Sequence, residues 1–392
     1  MNQPNDKLVH AKSHPTVRIN SKRFEQSPYA SKYADENTLF GIYCSRFYPI
    51  SFGEDVIAQY WKLRRDVMLF DVPEKPLSIK GPDAVRLLNR VFTRRMDRLK
   101  IGRANYAIAC TPQGGVQMDG VTIRLADDHF WYVHANGDFE SWLVAYSDGL
   151  DVSITDPQSR VLQIQGPRSL DVLQALDREK NIEDFGYFHA GFFEMAGQRV
   201  LVSRTGWTGE MGFEIYSNCE ADTDHAALWD AVVEAGKPFG LQNAALEVMG
   251  IRRIEAGILD YSTDIDSSMT PFDIGLGNFV DFSKEDFVGK SALQAADRKK
   301  RLFGLTSETG VPSVGCPVLL DKKEVGQVRV GDWSPTLEKG IGYVFLDQPA
   351  EDSEGWVGQQ LTLIDKEARG HPCKIIELPF YDTEKKIPRG LT

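Results

Sequence analysis

Cysteine is scarce in this 392-residue chain, which has only Cys44, Cys110, Cys219, Cys316 and Cys373. The five residues are odd in number, widely spaced and without a C-x-x-C pair. Such a pattern argues against a disulfide framework, a zinc ribbon and a thiol redox pair. The sequence also has no H-E-x-x-H motif, and we predict no metal site.

Long apolar runs and an excess of basic residues are also missing. No stretch approaches the roughly 18 consecutive apolar residues that span a bilayer, so the sequence predicts no membrane association. The chain has 45 Lys and Arg residues against 56 Asp and Glu residues. The resulting net charge of −11 opposes non-specific electrostatic binding to DNA or RNA. We expect no nucleic-acid partner, although a local basic pocket is compatible with this charge.

The first 23 residues are polar and slightly basic and lack the apolar run of a secretory signal. They predict a flexible N-terminal tail over 1–23 of a cytoplasmic protein, with an organelle transit peptide as the alternative. At roughly 150 residues per domain, the chain length predicts two or three domains.

An internal repeat organises the region after this tail. The segment from Leu77 (LSIKGPDAVRLLN) resembles the segment from Leu162 (LQIQGPRSLDVLQ), and their Gly-Pro pairs lie 85 residues apart. Each copy predicts a strand, a Gly-Pro break and a helix. The residues behind the two copies predict further strands at 105–109, 120–124, 130–134, 192–195, 199–203 and 212–216, and further helices at 139–147 and 221–235.

The predicted fold class is α+β. Two tandem β-α-β-β-α-β-like units predict a body over 24–297, with halves near 76–158 and 160–240 and a ligand groove where the halves meet. A helical pattern at 56–67 precedes the first unit. After the charged break at 297–301, short alternating strands predict a small C-terminal all-β, barrel-like domain over 302–385. An extension of the main sheet is the alternative for this last segment.

Several short motifs are shared, in order, with one family. They are F-D-V at 70–72, G-G at 114–115 leading to Asp119, Q-G-P at 165–167, G-W-T-G-E-M-G-F-E at 206–214, R-I-E-A-G at 253–257, and S-P-T-L at 334–337 followed by I-G at 341–342. This set resembles the glycine-cleavage T-protein family of tetrahydrofolate-dependent aminomethyltransferases and their relatives. The resemblance implies a T-protein-like folate-binding body and tetrahydrofolate as the cofactor.

Within that family, residues 251–266 and the nearby P-F and G-L pairs resemble the demethylase branch, typified by dimethylsulfoniopropionate demethylase. The T-protein has Ala-Arg-Asp-x-Leu-Arg-x-Glu-Ala-Gly, and Met249 stands where its first arginine would be. It also has Asp-Val-Ser-His-Met where residues 71–75 read Asp-Val-Pro-Glu-Lys. These differences favour a demethylase over glycine cleavage.

The resemblance therefore implies a methyltransferase that moves a methyl group from a small methylated metabolite, such as dimethylsulfoniopropionate, to tetrahydrofolate. One alternative is the aminomethyltransferase of glycine cleavage, which would need a lipoylated carrier protein as its partner. Another is a non-catalytic folate-binding scaffold. The Lys-Gly-Cys-Tyr-x-Gly-Gln signature of the iron–sulfur assembly relatives is absent from the sequence.

Carboxylates are the first candidates for the site. Glu214 matches the family's pterin-binding glutamate, and one carboxylate can accept two hydrogen bonds from a pterin edge. Asp119 is the catalytic candidate, because a carboxylate there would accept a proton or steady positive charge on the donor. Arg253 matches the family's second arginine and is a cofactor-binding candidate. The structural alternatives are an exposed strand residue for Glu214 and a turn-capping aspartate for Asp119.

Aromatic side chains are the second set of candidates, because a methylated cation without N–H donors is best held by aromatic faces. Trp207, Tyr187 and Tyr43 are the predicted substrate-binding residues. Tyr106, on the strand before Asp119, is predicted to line the cofactor site. Ordinary core packing is the alternative for each of them.

Overall fold

A computed structural model describes residues 21–182, 184–348 and 355–391. The predicted N-terminal tail lies outside the described residues except for its last three, which form the 3-10 turn Ser21–Arg23. No described helix is both long enough and apolar enough to cross a bilayer.

The described chain begins with elements that precede the repeat. A hairpin of β1 (Leu39–Tyr43) and β2 (Arg46–Ser51) leads to helix α1 (Val56–Arg65) and strand β3 (Met68–Val72). The Asp55 side chain caps α1 by accepting from the backbone N–H groups of Ile57 and Ala58 at 2.9 and 3.2 Å. The helix ends two residues before the predicted 67 because Asp66 leaves the helical conformation.

The first repeat forms a five-stranded sheet with two helices on one face. Its elements are β4 (Lys75–Lys80), α2 (Ala84–Val91), β5 (Arg103–Cys110), β6 (Val116–Ala126), β7 (His129–His134), α3 (Phe139–Tyr146) and β8 (Ser153–Thr155). The strand order is β5-β6-β7-β4-β8. The Gly-Pro break after β4 requires glycine, because Gly81 has φ +142° and a Cβ there would lie 2.5 Å from the Asp151 carbonyl oxygen.

The second repeat forms a six-stranded sheet that also takes in β3. Its own elements are β9 (Val161–Gln165), α4 (Ser169–Leu176), β10 (Ala190–Met195), β11 (Gln198–Ser203), β12 (Gly212–Tyr216), α5 (His225–Gly236) and β13 (Gln242–Asn243). The order is β10-β11-β12-β9-β3-β13. Each repeat thus has three strands between its two helices. Helix α5 starts later than the predicted residue 221 because the Asp224 side chain caps it by accepting from the Ala227 N–H.

The remaining elements complete the body and build the barrel. The body ends with α6 (Leu246–Glu255) and α7 (Lys290–Ala295), and three short 3-10 helices lie at Ala30–Lys32, Lys237–Phe239 and Gly277–Phe279. The barrel strands are β14 (Leu302–Ser307), β15 (Pro317–Leu320), β16 (Lys323–Ser334), β17 (Lys339–Leu346), β18 (Gln360–Ile364) and β19 (Gly370–Ile376), followed by the short helix α8 (Lys386–Arg389). The strands close in the order β14-β17-β16-β15-β18-β19. The predicted α+β body with a C-terminal all-β domain is confirmed, and the alternative of an extended main sheet is wrong.

The two sheets of the body face each other across a shared core. This core contains Ile123 and Trp131 from the first sheet and Leu201 and Tyr216 from the second, all buried. The rings of Trp131 and Tyr216 meet edge to face with centroids 6.1 Å apart. Helices cover the opposite face of each sheet, so the inner faces of both sheets point toward one central space.

Candidate active site

A cavity of about 1060 Å³ opens from this central space. It lies among the two sheets, α6 and the chain that follows the barrel. All seven site residues expected from the sequence line it: Tyr43, Tyr106, Asp119, Tyr187, Trp207, Glu214 and Arg253. The structure therefore brings the candidates together where the halves meet, and their individual roles remain predictions.

Strand alternation explains why the two carboxylates point inward. On β12, Phe213 and Ile215 pack against the helical face of the second sheet, so Glu214 between them faces the opposite sheet. On β6, Met118 packs toward the helices of the first sheet, so Asp119 faces the cavity. Asp119 lies within β6, three residues after the strand begins, rather than ahead of the strand.

Glu214 is held by three hydrogen-bond donors. Gln163 Nε2 donates to Oε1 at 2.8 Å, and the hydroxyls of Tyr216 and Thr205 both donate to Oε2, the first at 2.9 Å. Burial raises the pKa of Glu214, and these hydrogen bonds lower it. The side chain is thus fixed in place and its acceptor capacity is largely used within the protein.

The carboxyl group of Asp119 has one side-chain hydrogen-bond partner among the described residues. The Tyr106 hydroxyl donates to Oδ2 at 2.6 Å, whereas Oδ1 is buried with no partner in the described structure. Burial raises the pKa of Asp119 to about 7, and the charge of Asp260 adds to that rise. A carboxyl group with this pKa can accept or release a proton near neutral pH.

Asp260 forms a second carboxyl–phenol pair that the sequence did not single out. The Tyr43 hydroxyl donates to Oδ1 at 3.3 Å and the Thr263 hydroxyl donates to Oδ2 at 2.8 Å. Burial raises the pKa of Asp260 as well. Asp260 lies in the loop after α6, inside the segment 251–266 that resembles the demethylase branch, and that resemblance was the available signal.

Arg253 and Trp207 contact each other. The Arg253 guanidinium pairs with the carboxylate of Asp264 and lies 5.0 Å from the centroid of the Trp207 ring. Both residues line the cavity, but one face of the Trp207 ring is already covered by Arg253. A ligand cation would have to use the other face.

Arg252, the neighbour of Arg253 on α6, forms an ion pair that links two helices. Arg252 donates from Nε to Glu210 at 2.6 Å, and Glu210 also pairs with Arg64, so Glu210 joins α1 to α6 through ion pairs. Glu255 is fully buried and does not line the cavity, in contrast to Arg253 two positions earlier. One of the two residues therefore faces the groove, as their helical spacing predicts.

Glu255 also connects the barrel to the body. It accepts hydrogen bonds from the hydroxyls of Tyr60 on α1, Ser334 on β16 and Tyr381 after the barrel. The Ser334 bond is 2.5 Å long and the Tyr381 bond is 2.6 Å long. The 334–337 segment therefore contacts α6 through Ser334 and is not part of the cavity lining.

Other lining residues were missed by sequence reasoning. Glu74 follows β3, and burial together with the charge of Glu214 raises its pKa to about 8. Its signal was the departure from the T-protein pattern at 73–75. Arg103, Lys385 and Arg389 add positive charge to the lining, and the last two carry no motif that would have marked them.

Comparisons with known proteins agree with this architecture. The family model for the GCVT N-terminal domain matches residues 30–284, and the model for the glycine cleavage T-protein C-terminal barrel domain matches residues 300–382. An aminomethyltransferase from Caldanaerobacter subterraneus subsp. tengcongensis is 31% identical over 375 residues, covering 92% of this chain and 97% of that protein. One from Halalkalibacterium halodurans is 33% identical over 345 residues, covering 85% and 91%.

A solved structure shows the same fold. The glycine cleavage system aminomethyltransferase T from Bartonella henselae superposes with a TM-score of 0.79, covering 92% of this chain and 98% of that one. Its sequence identity is 22%, so the likeness concerns the fold alone.

Proposed function

Because the chain belongs to the glycine-cleavage T-protein family of tetrahydrofolate-dependent one-carbon transferases, we propose that it takes its one-carbon group from a cationic donor held beside Asp119. The family assignment makes the chain a transferase, so a non-catalytic scaffold is not proposed. The observation that carries the proposal is that Asp119 lines the cavity and that its buried Oδ1 has no partner in the described structure.

The cavity residues fit tetrahydrofolate. The volume of about 1060 Å³ slightly exceeds the roughly 300–1,000 Å³ usual for small-molecule sites, which leaves room for a second ligand. Two buried carboxyl oxygens on the lining, Asp119 Oδ1 and Glu74 Oε2, have no partner in the described structure. Such acceptors suit a ligand rich in N–H donors or a cation. When bound, tetrahydrofolate supplies the amine nitrogen that receives the one-carbon group.

Glu214 and Asp119 would have different roles, the first in folate binding and the second in the transfer step. Glu214, held by Gln163, Thr205 and Tyr216, would hold the pterin ring in one orientation. Asp119, with a pKa of about 7, would steady positive charge at the reacting centre or hold a proton released there. Tyr106 is the positioning residue for Asp119.

The hydrogen-bond partners of Asp119 and Asp260 support a cationic donor beside these two carboxyl groups. In the described part of the chain, the side chains that hydrogen-bond Asp119 and Asp260 do so through hydroxyl groups, and the rings of the two tyrosines among them line the same cavity. Carboxylates beside aromatic faces suit an ammonium or sulfonium group, since each aromatic contact with a cation contributes roughly 0.5–2 kcal/mol.

Two donors of this class remain in competition. An aminomethyl group on a lipoylated carrier protein is better supported by the comparisons, since the relatives reported above are named aminomethyltransferase. A methylated onium compound is supported by Met249, which lines the cavity where the T-protein has an arginine, and by the Pro-Glu-Lys sequence at 73–75.

A donor panel separates the two. The purified protein is incubated with tetrahydrofolate and either dimethylsulfoniopropionate, a methylated tertiary amine, an aryl methyl ether or an aminomethyl-loaded carrier. Formation of 5-methyltetrahydrofolate from the onium donor supports demethylation, and formation of 5,10-methylenetetrahydrofolate with ammonia from the carrier supports aminomethyl transfer. Faster turnover of the neutral aryl ether than of all three cationic donors would contradict the proposal.

A further inference from the structure

Glu74 occupies an unusual position in the cavity wall. It lies between β3 and β4, and its backbone is fixed because Arg46 Nη1 donates to its carbonyl oxygen at 2.9 Å. Oε1 is 3.5 Å from Gln163 Nε2, at the limit of a hydrogen bond, and Oε2 is buried with no partner in the described structure. The backbone of Glu74 is therefore anchored, its carboxyl group makes one long contact, and one carboxyl oxygen is left without a partner in the described structure.

The charged surroundings of Glu74 do not compensate its burial. Burial, and then the charges of Glu214, Asp260 and Asp71, raise its pKa to about 8. The neighbouring Lys75 pairs with Asp156 instead. A buried carboxyl oxygen without a hydrogen-bond partner destabilises the folded protein, so binding of a ligand to Oε2 would give a reason for the presence of Glu74.

Glu214 leaves room for a second acceptor beside it. A carboxylate has about four lone-pair positions, and Gln163, Thr205 and Tyr216 fill three of those on Glu214. One remaining position cannot receive two adjacent N–H donors. Glu74 lies on the other side of Gln163, whose amide nitrogen contacts both carboxyl groups.

We propose that Glu74 is a second ligand-binding carboxyl group beside Glu214, and that its Oε2 forms a hydrogen bond with the amino-pyrimidinone edge of the pterin ring. The inference rests on the proposed function, because it takes tetrahydrofolate as the ligand. Glu74 would be a specificity residue at a position where the T-protein pattern has histidine. Glu74 would add recognition of the ring edge that Glu214 alone cannot complete.

The test compares two variants of the full chain. Glu74→Leu keeps the approximate shape and removes both oxygens, whereas Glu74→Gln keeps a polar group able to accept and donate. Tetrahydrofolate affinity is measured by calorimetry without oxygen, and the Tm of the unliganded protein is measured separately. Glu36→Leu, at an exposed carboxyl group, controls for the added apolar side chain.

We expect Glu74→Leu to weaken folate binding at least tenfold while the Tm of the unliganded protein stays equal or rises, because the uncompensated carboxyl group is gone. Glu74→Gln should bind within about threefold of the wild type. Unchanged affinity in Glu74→Leu, a fall in its Tm alongside its affinity, or equal losses in both variants would each overturn the inference. A wild-type protein that binds no tetrahydrofolate would overturn the proposed function, and this inference with it.

Discussion

The Tyr106 hydroxyl donates a 2.6 Å hydrogen bond to Oδ2 of Asp119, whereas the buried Oδ1 has no partner in the described structure. The bond holds the carboxyl group in one orientation and lowers its pKa, against the larger rise caused by burial. Tyr106 itself is kept in place by the edge-to-face contact of its ring with Phe279, with centroids 5.1 Å apart. The pair is thus a hydrogen-bonded unit in which the charge of Asp119 changes near neutral pH.

The effect of Tyr106 on the pKa of Asp119 can be tested with Tyr106→Phe and the pH dependence of turnover. Loss of the hydroxyl removes a contact that lowers the pKa of Asp119, so that pKa should rise above about 7. If turnover needs the ionised carboxylate, the wild-type rate falls as the pH drops through about 7, and in the variant this fall should begin at a higher pH. The measurement is kcat against pH, and an unshifted profile would show that Tyr106 does not tune Asp119.

Glu214→Ala should weaken tetrahydrofolate binding by about 1.5–3 kcal/mol, the scale of hydrogen bonds to a charged group. The reason is that Glu214 is the carboxylate fixed by three donors on the inner face of β12. Calorimetry on the folded variant measures the change. Wild-type affinity in a variant of normal Tm would remove Glu214 from the folate site.

Trp207→Leu should lower donor affinity by roughly 0.5–2 kcal/mol, with folate affinity nearly unchanged. Trp207 lines the cavity, and the Arg253 guanidinium covers one face of its ring. Trp61→Leu is the matched control, because Trp61 is also stacked on an arginine, Arg65, but lies outside the cavity lining. Equal effects of the two substitutions on donor KM would reduce Trp207 to a packing residue.

Glu255→Ala should lower the free energy of unfolding by about 3–5 kcal/mol, the usual cost of removing one partner from a buried charged network. Glu255 accepts hydroxyl donors from α1, the barrel and the segment after the barrel. Tyr381→Phe removes one of these donors and should cost less, about 1.5–3 kcal/mol. Denaturant unfolding measures both, and a loss below 1 kcal/mol in Glu255→Ala would show that the network does not hold the barrel to the body.

The sequence predicted the elements whose patterns are local. The Gly-Pro breaks, the strand 212–216 and the helix at 139–147 follow from alternation and turn residues, and they agree with the structure to within a few residues. The insertion of β3 between β9 and β13 could not be predicted in this way, because it pairs Met68 with Gln165 on one side and with Gln242 on the other, 97 and 174 positions away. Long-range strand order leaves no periodic trace in a single sequence.

The site residues also divide into those marked by local sequence patterns and those placed by long-range packing. Asp119 and Glu214 stood in recognisable motifs, and alternation along β6 and β12 was enough to turn them inward. Asp260 and Glu74 came to the cavity through loops, whose paths depend on packing rather than on a repeating pattern. The partner of Arg253, Asp264, lies eleven residues away along an irregular loop, so the ion pair also needed the structure.

The most direct test of the whole account is single-turnover transfer by Asp119→Asn, using whichever cationic donor is active in the panel. The isosteric amide keeps the shape and removes the charge beside the reacting centre. We predict tetrahydrofolate affinity within a fewfold of the wild type and one-carbon transfer slowed by a factor on the order of 100 or more, the range expected for loss of a general acid–base or charge-stabilising group. Transfer within about threefold of the wild-type rate, measured with the same donor and saturating folate, would contradict it.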